Sequence, residues 1–188
     1  MKTTRLLLVA CLVALSLASC KKDGDDHLNN IITTDLGTFS VNQSMYYRLS
    51  SPATTPKLYR WRVIFFGPDV TVGVDSTDAS KNAFGGFGSL VACDLFTSHD
   101  GSDFPLHQYT LNQFPQQPVD SSLDRCVVYL NHDFDQDTGG VAYLQDNITG
   151  GTVTFVNLGG TVNVKYNLTV NRTGNIQGSY LGNLHPRP

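Results

Sequence analysis

The chain contains no glutamate; all 16 of its acidic residues are aspartate. Glutamate suits helix interiors, whereas aspartate competes for backbone hydrogen bonds and settles in turns and caps. The choice therefore argues against helices. Basic runs are equally scarce. Nothing longer than Lys21-Lys22 occurs and the formal net charge is −3, which argues against nucleic acid as a partner. The five histidines (His27, His99, His107, His132, His185) include no i, i+4 pair, and no Cys-x-x-Cys accompanies them. Zinc needs convergent nitrogen and sulfur ligands, and neither pattern supplies them. The single tryptophan, Trp61, lies in a strand too apolar to be a ligand platform, which makes it a core residue. Helical periodicity is missing as well.

What remains is rich in Gly, Thr, Val, Tyr, Phe and Asn, the residues of strands and turns. Apolar positions alternate with period two between turn signals. Short strands are expected at Thr38–Asn42 and Met45–Leu49. The run Leu58–Phe66 is the strongest early one, with Tyr59, Trp61, Val63 and Phe65 on one side and Arg60, Arg62, Ile64 and Phe66 on the other. Gly67-Pro68-Asp69 turns the chain into Val70–Val74, and a polar, glycine-rich loop over Asp75–Gly86 leads to Ser89–Thr97. Strands follow at Gln108–Phe114, Arg125–Asn131 and Val141–Leu144. Near the end, Thr152–Leu158 and Thr161–Val170 flank Gly159-Gly160, a hairpin turn that needs positive φ at both positions. Val162, Val164, Tyr166, Leu168 and Val170 share one face of the second arm, opposite Asn163, Lys165, Asn167, Thr169 and Asn171. That is a half-buried antiparallel strand with one wet side. Ile176–Leu184 completes the set.

About ten short strands without helices predict an all-β fold, an antiparallel β-sandwich, with a lipocalin-like β-barrel as the alternative. The roughly 150 residues after Asp35 suffice for one domain burying ~70% of its unfolded surface. The expected organisation is a leader over 1–19, a charged flexible tether over 20–34 that joins the fold near Ile31 or Ile32, and a single domain over 35–188.

The leader combines a basic start (Lys2, Arg5), an apolar run from Leu6 to Leu17 and small residues before a cut, the parts of a secretory signal. The run falls short of the roughly 20 residues that a spanning helix requires. Because Leu17-Ala18-Ser19 is followed by Cys20, it resembles a bacterial lipoprotein signal. That resemblance implies cleavage before Cys20, lipidation of that residue and attachment to a membrane; an ordinary secretory signal is the alternative. Loss of Lys2 and Arg5 would move the net charge from −3 to −5. The following Lys21-Lys22-Asp23-Gly24-Asp25-Asp26 resembles the charged segment of surface-exposed Bacteroidota lipoproteins. The stretch GTVTF…GGTVNVKYNLTV…GNIQGSYLGNL is similar to the closing strands of small Bacteroidota lipoproteins of unknown function. Together these imply an outer-membrane, cell-surface β domain, with the periplasmic face as alternative, and transfer no catalytic or binding residue.

Cys93 and Cys126 each sit in an apolar, strand-like run. In an oxidising compartment they are expected to form a disulfide; two buried thiols are the alternative. Asp133, Asp135 and Asp137 alternate ahead of Gly139-Gly140 and could wrap oxygen ligands around calcium, with Asp146 contributing. The pattern departs from an EF-hand loop, because Thr138 stands where the sharp turn needs glycine and no glutamate closes the site. Phe84 and Phe87, with Phe104, His107 and Tyr109, are candidates for ligand binding through aromatic faces, the mode that suits a glycan; for Phe84 and Phe87 the alternative is that they plug the core where the loop crosses it. His99-Asp100 and His132-Asp133 would serve a hydrolase only with a nucleophile such as Ser98 or Ser102 alongside. A ligand- or glycan-binding accessory role is expected first, a structural or adhesive role through a sheet edge second, and catalysis last.

Overall fold

A computed structural model describes residues 30–49, 57–76, 82–112, 118–144, 147–171 and 174–187. The leader, Cys20, residues 20–29 of the expected tether and Asp146 lie outside them. The described chain is all-β, as its composition predicts, with twelve strands and no helix. They are β1 (Ile31–Thr34), β2 (Gly37–Ser40), β3 (Gln43–Arg48), β4 (Tyr59–Phe66), β5 (Val70–Val74), β6 (Asn82–Thr97), β7 (Gln108–Leu111), β8 (Ser122–Asp133), β9 (Val141–Tyr143), β10 (Ile148–Asn157), β11 (Val162–Val170) and β12 (Gly174–Gly182).

Hydrogen bonding runs through ten of them without a break, in the order β2-β1-β12-β11-β10-β7-β8-β6-β4-β3, with β5 added to β6 and β9 to β8. The described strands thus form one continuous sheet rather than two separately bonded ones. That sheet must curl. The Phe65 ring on β4 lies 6.5, 6.2 and 5.1 Å from the rings of Phe155 on β10, Tyr166 on β11 and Tyr180 on β12. These strands stand four to six places from β4 in the order, about 19 to 29 Å away in a flat sheet. The result is an open half-barrel around one core. Beyond β3 the edge is covered: Tyr46 N–H donates to His185 O and Arg187 N–H to Tyr46 O, both at 2.8 Å.

Alternation decides which side chains fill the curl. Tyr59, Trp61, Val63 and Phe65 point inward with Val91, Cys93 and Leu95 of β6 and Cys126, Val128 and Leu130 of β8. Cys93 and Cys126 are register partners on adjacent strands and are joined as a disulfide, with Cα atoms 4.3 Å apart. In the β10–β11 hairpin both turn glycines have positive φ, 77° and 124°, as the sequence requires. Tyr166 is buried and its hydroxyl donates to Ile31 O at 2.6 Å. Burial pushes its phenol pKa up.

The chain joins the fold at Ile31–Thr34, a strand paired with β12 and β2, with Ile32 fully buried. The loop expected through Gly86 ends early. Residues 82–86 extend β6 and pair with β5, making a hairpin that projects past the main sheet and folds over its outer face. There Val70, Val72 and Phe84 meet Met45, Ile64, Phe66, Leu90 and Ala92 in a second, smaller core. Local composition marks glycine and polar residues as loop formers; here a nearby apolar face gives them a surface to pair against.

Candidate functional site

The glycine-rich stretch of β6 does not present its two phenylalanines alike. They are three residues apart, and an odd spacing sends strand side chains to opposite faces. Phe84 is half-buried against Phe134, ring centroids 5.6 Å apart, in the small outer core. Phe87 is 55% exposed. Its neighbour Gly86 has φ 79°, and a Cβ there would collide with Asp69 O. Glycine is therefore required where the β4–β5 turn crosses β6 at the side of Phe87.

Around that ring lies a cleft of about 350 Å³, lined by Phe39 and Ser40 of β2, Pro68 and Asp69 of the turn, Ser89 and Asn131. Its walls are held from behind. Gly67 N–H donates to Ser89 O at 2.9 Å, and Gln43 Nε2 donates to Pro68 O at 3.1 Å. Asn131 adopts φ 50°, and its N–H donates to Ser89 Oγ at 3.0 Å. Asp69, Ser40 and Asn131 are exposed. The cleft thus combines one open aromatic face with a carboxylate, an amide and a hydroxyl. Such a surface stacks on the apolar face of a ligand and hydrogen-bonds its rim.

The remaining candidates are dispersed. Phe104 and Tyr109 are core residues, 7% and 0% exposed. The Tyr109 hydroxyl donates to Pro105 O at 2.9 Å, and burial pushes its phenol pKa up. Neither offers a ring to solvent. His107 is exposed beside Tyr109, 6.5 Å between rings.

In the aspartate loop, Asp133 Oδ1 accepts the N–H groups of Asp135 and Gln136, both at 3.1 Å, and so closes a turn. Asp137 Oδ1 pairs with His132 Nε2 at 3.2 Å, while a Cβ built on Gly85 would stand 3.0 Å from Asp135 Oδ1. Asp133 and Asp137 have different partners, and no group of three metal-ligating side chains converges among the described residues.

Of the hydrolase candidates, Ser98 Oγ donates to Asp120 Oδ2 at 3.1 Å and Ser102 Oγ to Asp103 Oδ1 at 3.5 Å. His132 Nδ1 faces Gly139 O at 3.1 Å. No serine–histidine pair arises from these contacts.

Sequence reasoning missed Phe39, Asp69 and Asn131, which come from three separate segments: pairing of β6 with β5 and β8 brings Asp69 and Asn131 to Phe87, and the curl of the sheet adds Phe39. It also missed a charged cluster on the outer face. Asp94, 1% exposed, accepts from Arg60 Nη2 at 2.6 Å and from Arg62 Nε and Nη2 at 2.6 and 2.9 Å. The signal for it was an aspartate inside an apolar run, opposite a strand with two arginines on one side. No family model matches the chain, and no curated protein or solved structure matches it either.

Proposed function

We propose that this is a lipid-anchored protein of the outer membrane, exposed at the cell surface, whose β domain binds glycans through the Phe87 cleft. The observation that carries the binding half is an exposed phenylalanine ring ringed by Asp69, Asn131 and Ser40. The anchor rests on the lipoprotein-type leader ending at Cys20. In its finer form the fold is read as a sandwich of two facing halves. The meeting of Phe65 with rings on β10, β11 and β12 supports this, since those strands sit opposite β4.

Two measurements test the proposal. A glycan array probed with the purified chain is expected to retain defined glycans. Phe87→Ala should weaken that binding about tenfold or more, roughly 1.4 kcal/mol. Because the ring is exposed, the same change should alter stability by less than about 0.5 kcal/mol. Equal binding by both proteins, or no retained glycan, overturns the assignment. Mass spectrometry of the native protein should find a chain starting at an acylated Cys20; an unacylated chain still starting at Met1 removes the anchor.

A structural or adhesive role through strand addition is the second reading. β5 favours it, because it pairs only with β6 among the described strands and carries an exposed Val74. The covered edge of β3 counts the other way.

A further inference from the structure

The outer face of β4, β6 and β8 changes character along its length, row by row. Cross-strand register places Arg62, Asp94 and Arg125 in one row, Ile64, Ala92 and Val127 in the next, and Phe66, Leu90 and Tyr129 in the third. The β5–β6 hairpin covers the apolar rows with Val70, Val72 and Phe84. It stops short of the charged row. At that boundary lies a cavity of about 180 Å³, walled by Leu90, Ala92, Val127, Tyr129 and Phe84 and bounded by Arg62 and Arg125 with the Asp94 carboxylate between them.

The charges at its end do not cancel. Three guanidiniums, Arg60, Arg62 and Arg125, face two carboxylates, Asp94 and Asp124. One positive charge is left over. Arg60 and Arg62 hold the carboxylates at 2.6 to 2.8 Å, whereas Arg125 Nε is 3.6 Å from Asp94 and 3.5 Å from Asp124. That nitrogen is buried and makes no hydrogen bond. The Arg125 side chain as a whole is 42% exposed, so an incoming monoanion would meet the terminal nitrogens of that guanidinium rather than its buried Nε. The whole cavity, charged end included, is close in volume to the roughly 150 Å³ that accepts benzene.

We propose that this cavity binds a small aromatic monocarboxylate, its ring between Phe84 and Ala92 and its carboxylate on Arg125. The site is separate from the Phe87 cleft. It uses the opposite face of β6 and does not depend on the glycan reading. A planar guanidinium suits a carboxylate, and the single surplus charge favours a monoanion.

The test is calorimetric titration of the purified full-length chain with benzoate, toluene and acetate. Benzoate should bind one to one with a dissociation constant of about 1 mM or tighter. Toluene, which lacks the charge, and acetate, which lacks the ring, should each bind about tenfold more weakly or worse. Arg125→Met should weaken benzoate about tenfold and leave toluene unchanged. Ala92→Met, which fills the cavity, should block both, and Phe87→Ala should block neither. Should Ala92→Met fold poorly, methyl resonances of the wild-type chain decide instead. Benzoate must shift Leu90, Ala92 and Val127. Absence of saturation, equal binding of benzoate and toluene, indifference to Arg125→Met, or shifts confined to other methyls would each overturn the proposal.

Discussion

Replacing Asp94 by alanine should lower the unfolding free energy by about 3–5 kcal/mol, the cost of removing one partner from a buried ion pair. The carboxylate is 1% exposed and takes hydrogen bonds from two arginines whose side chains are only 23% and 26% exposed. Without it, Arg62 loses its carboxylate partner, and Arg60 and Arg125 are left to share Asp124. Hydrogen bonding to Asp94 pushes the Arg62 pKa upward; that rise goes with the carboxylate, but arginine keeps its proton in proteins regardless, so deprotonation does not relieve the loss. Asp94→Asn keeps the shape but not the charge and should fall between the two. The exposed pair Arg48–Asp100, at 3.3 Å with 37% and 66% of the side chains exposed, is the control. Its removal should cost no more than about 1 kcal/mol. Chemical denaturation of the three variants makes the comparison. A loss for Asp94→Ala no larger than that for the control would show that the cluster is not what holds this face together.

Phe65→Ala should cost a similar amount, about 3–5 kcal/mol, through a different mechanism. The ring is fully buried and bridges the two halves of the curl through Phe155, Tyr166 and Tyr180. Truncation forfeits the transfer energy of the ring and leaves a void lined by three other rings, which cannot all collapse inward while their backbones stay in register. Phe65→Leu should recover more than half of the loss. Denaturation again provides the measurement. A cost below about 1 kcal/mol for the alanine variant would mean that the halves are held by hydrogen bonding along the sheet rather than by the core.

Much of the fold was legible from alternation, but little of the candidate site was. The run Leu58–Phe66 showed which residues face inward, because strand side chains alternate whatever the neighbouring strands do. For the same reason Arg60 and Arg62 could be placed on one side with Ile64 and Phe66. What that side would meet was not legible. Asp94 stands 32 residues beyond Arg62 and joins it only through register. Phe84 and Phe87 looked alike in the glycine-rich stretch, and the hairpin alone separated them, one into a small core and one into a cleft. Phe104 and Tyr109 were candidate ligand platforms until the curl closed over them.

By itself the sequence determined that this chain forms strands and which face of each is apolar. Those properties are local, set by side-chain chemistry, the absence of glutamate and a period of two. It also determined the hairpin at Gly159-Gly160, where two adjacent residues must accept positive φ. The tertiary structure alone decided that ten strands join as one curled sheet, that a buried carboxylate gathers three arginines, and that Phe87 opens into a cleft. Each of these depends on strand order and register, which arise from contacts between distant segments.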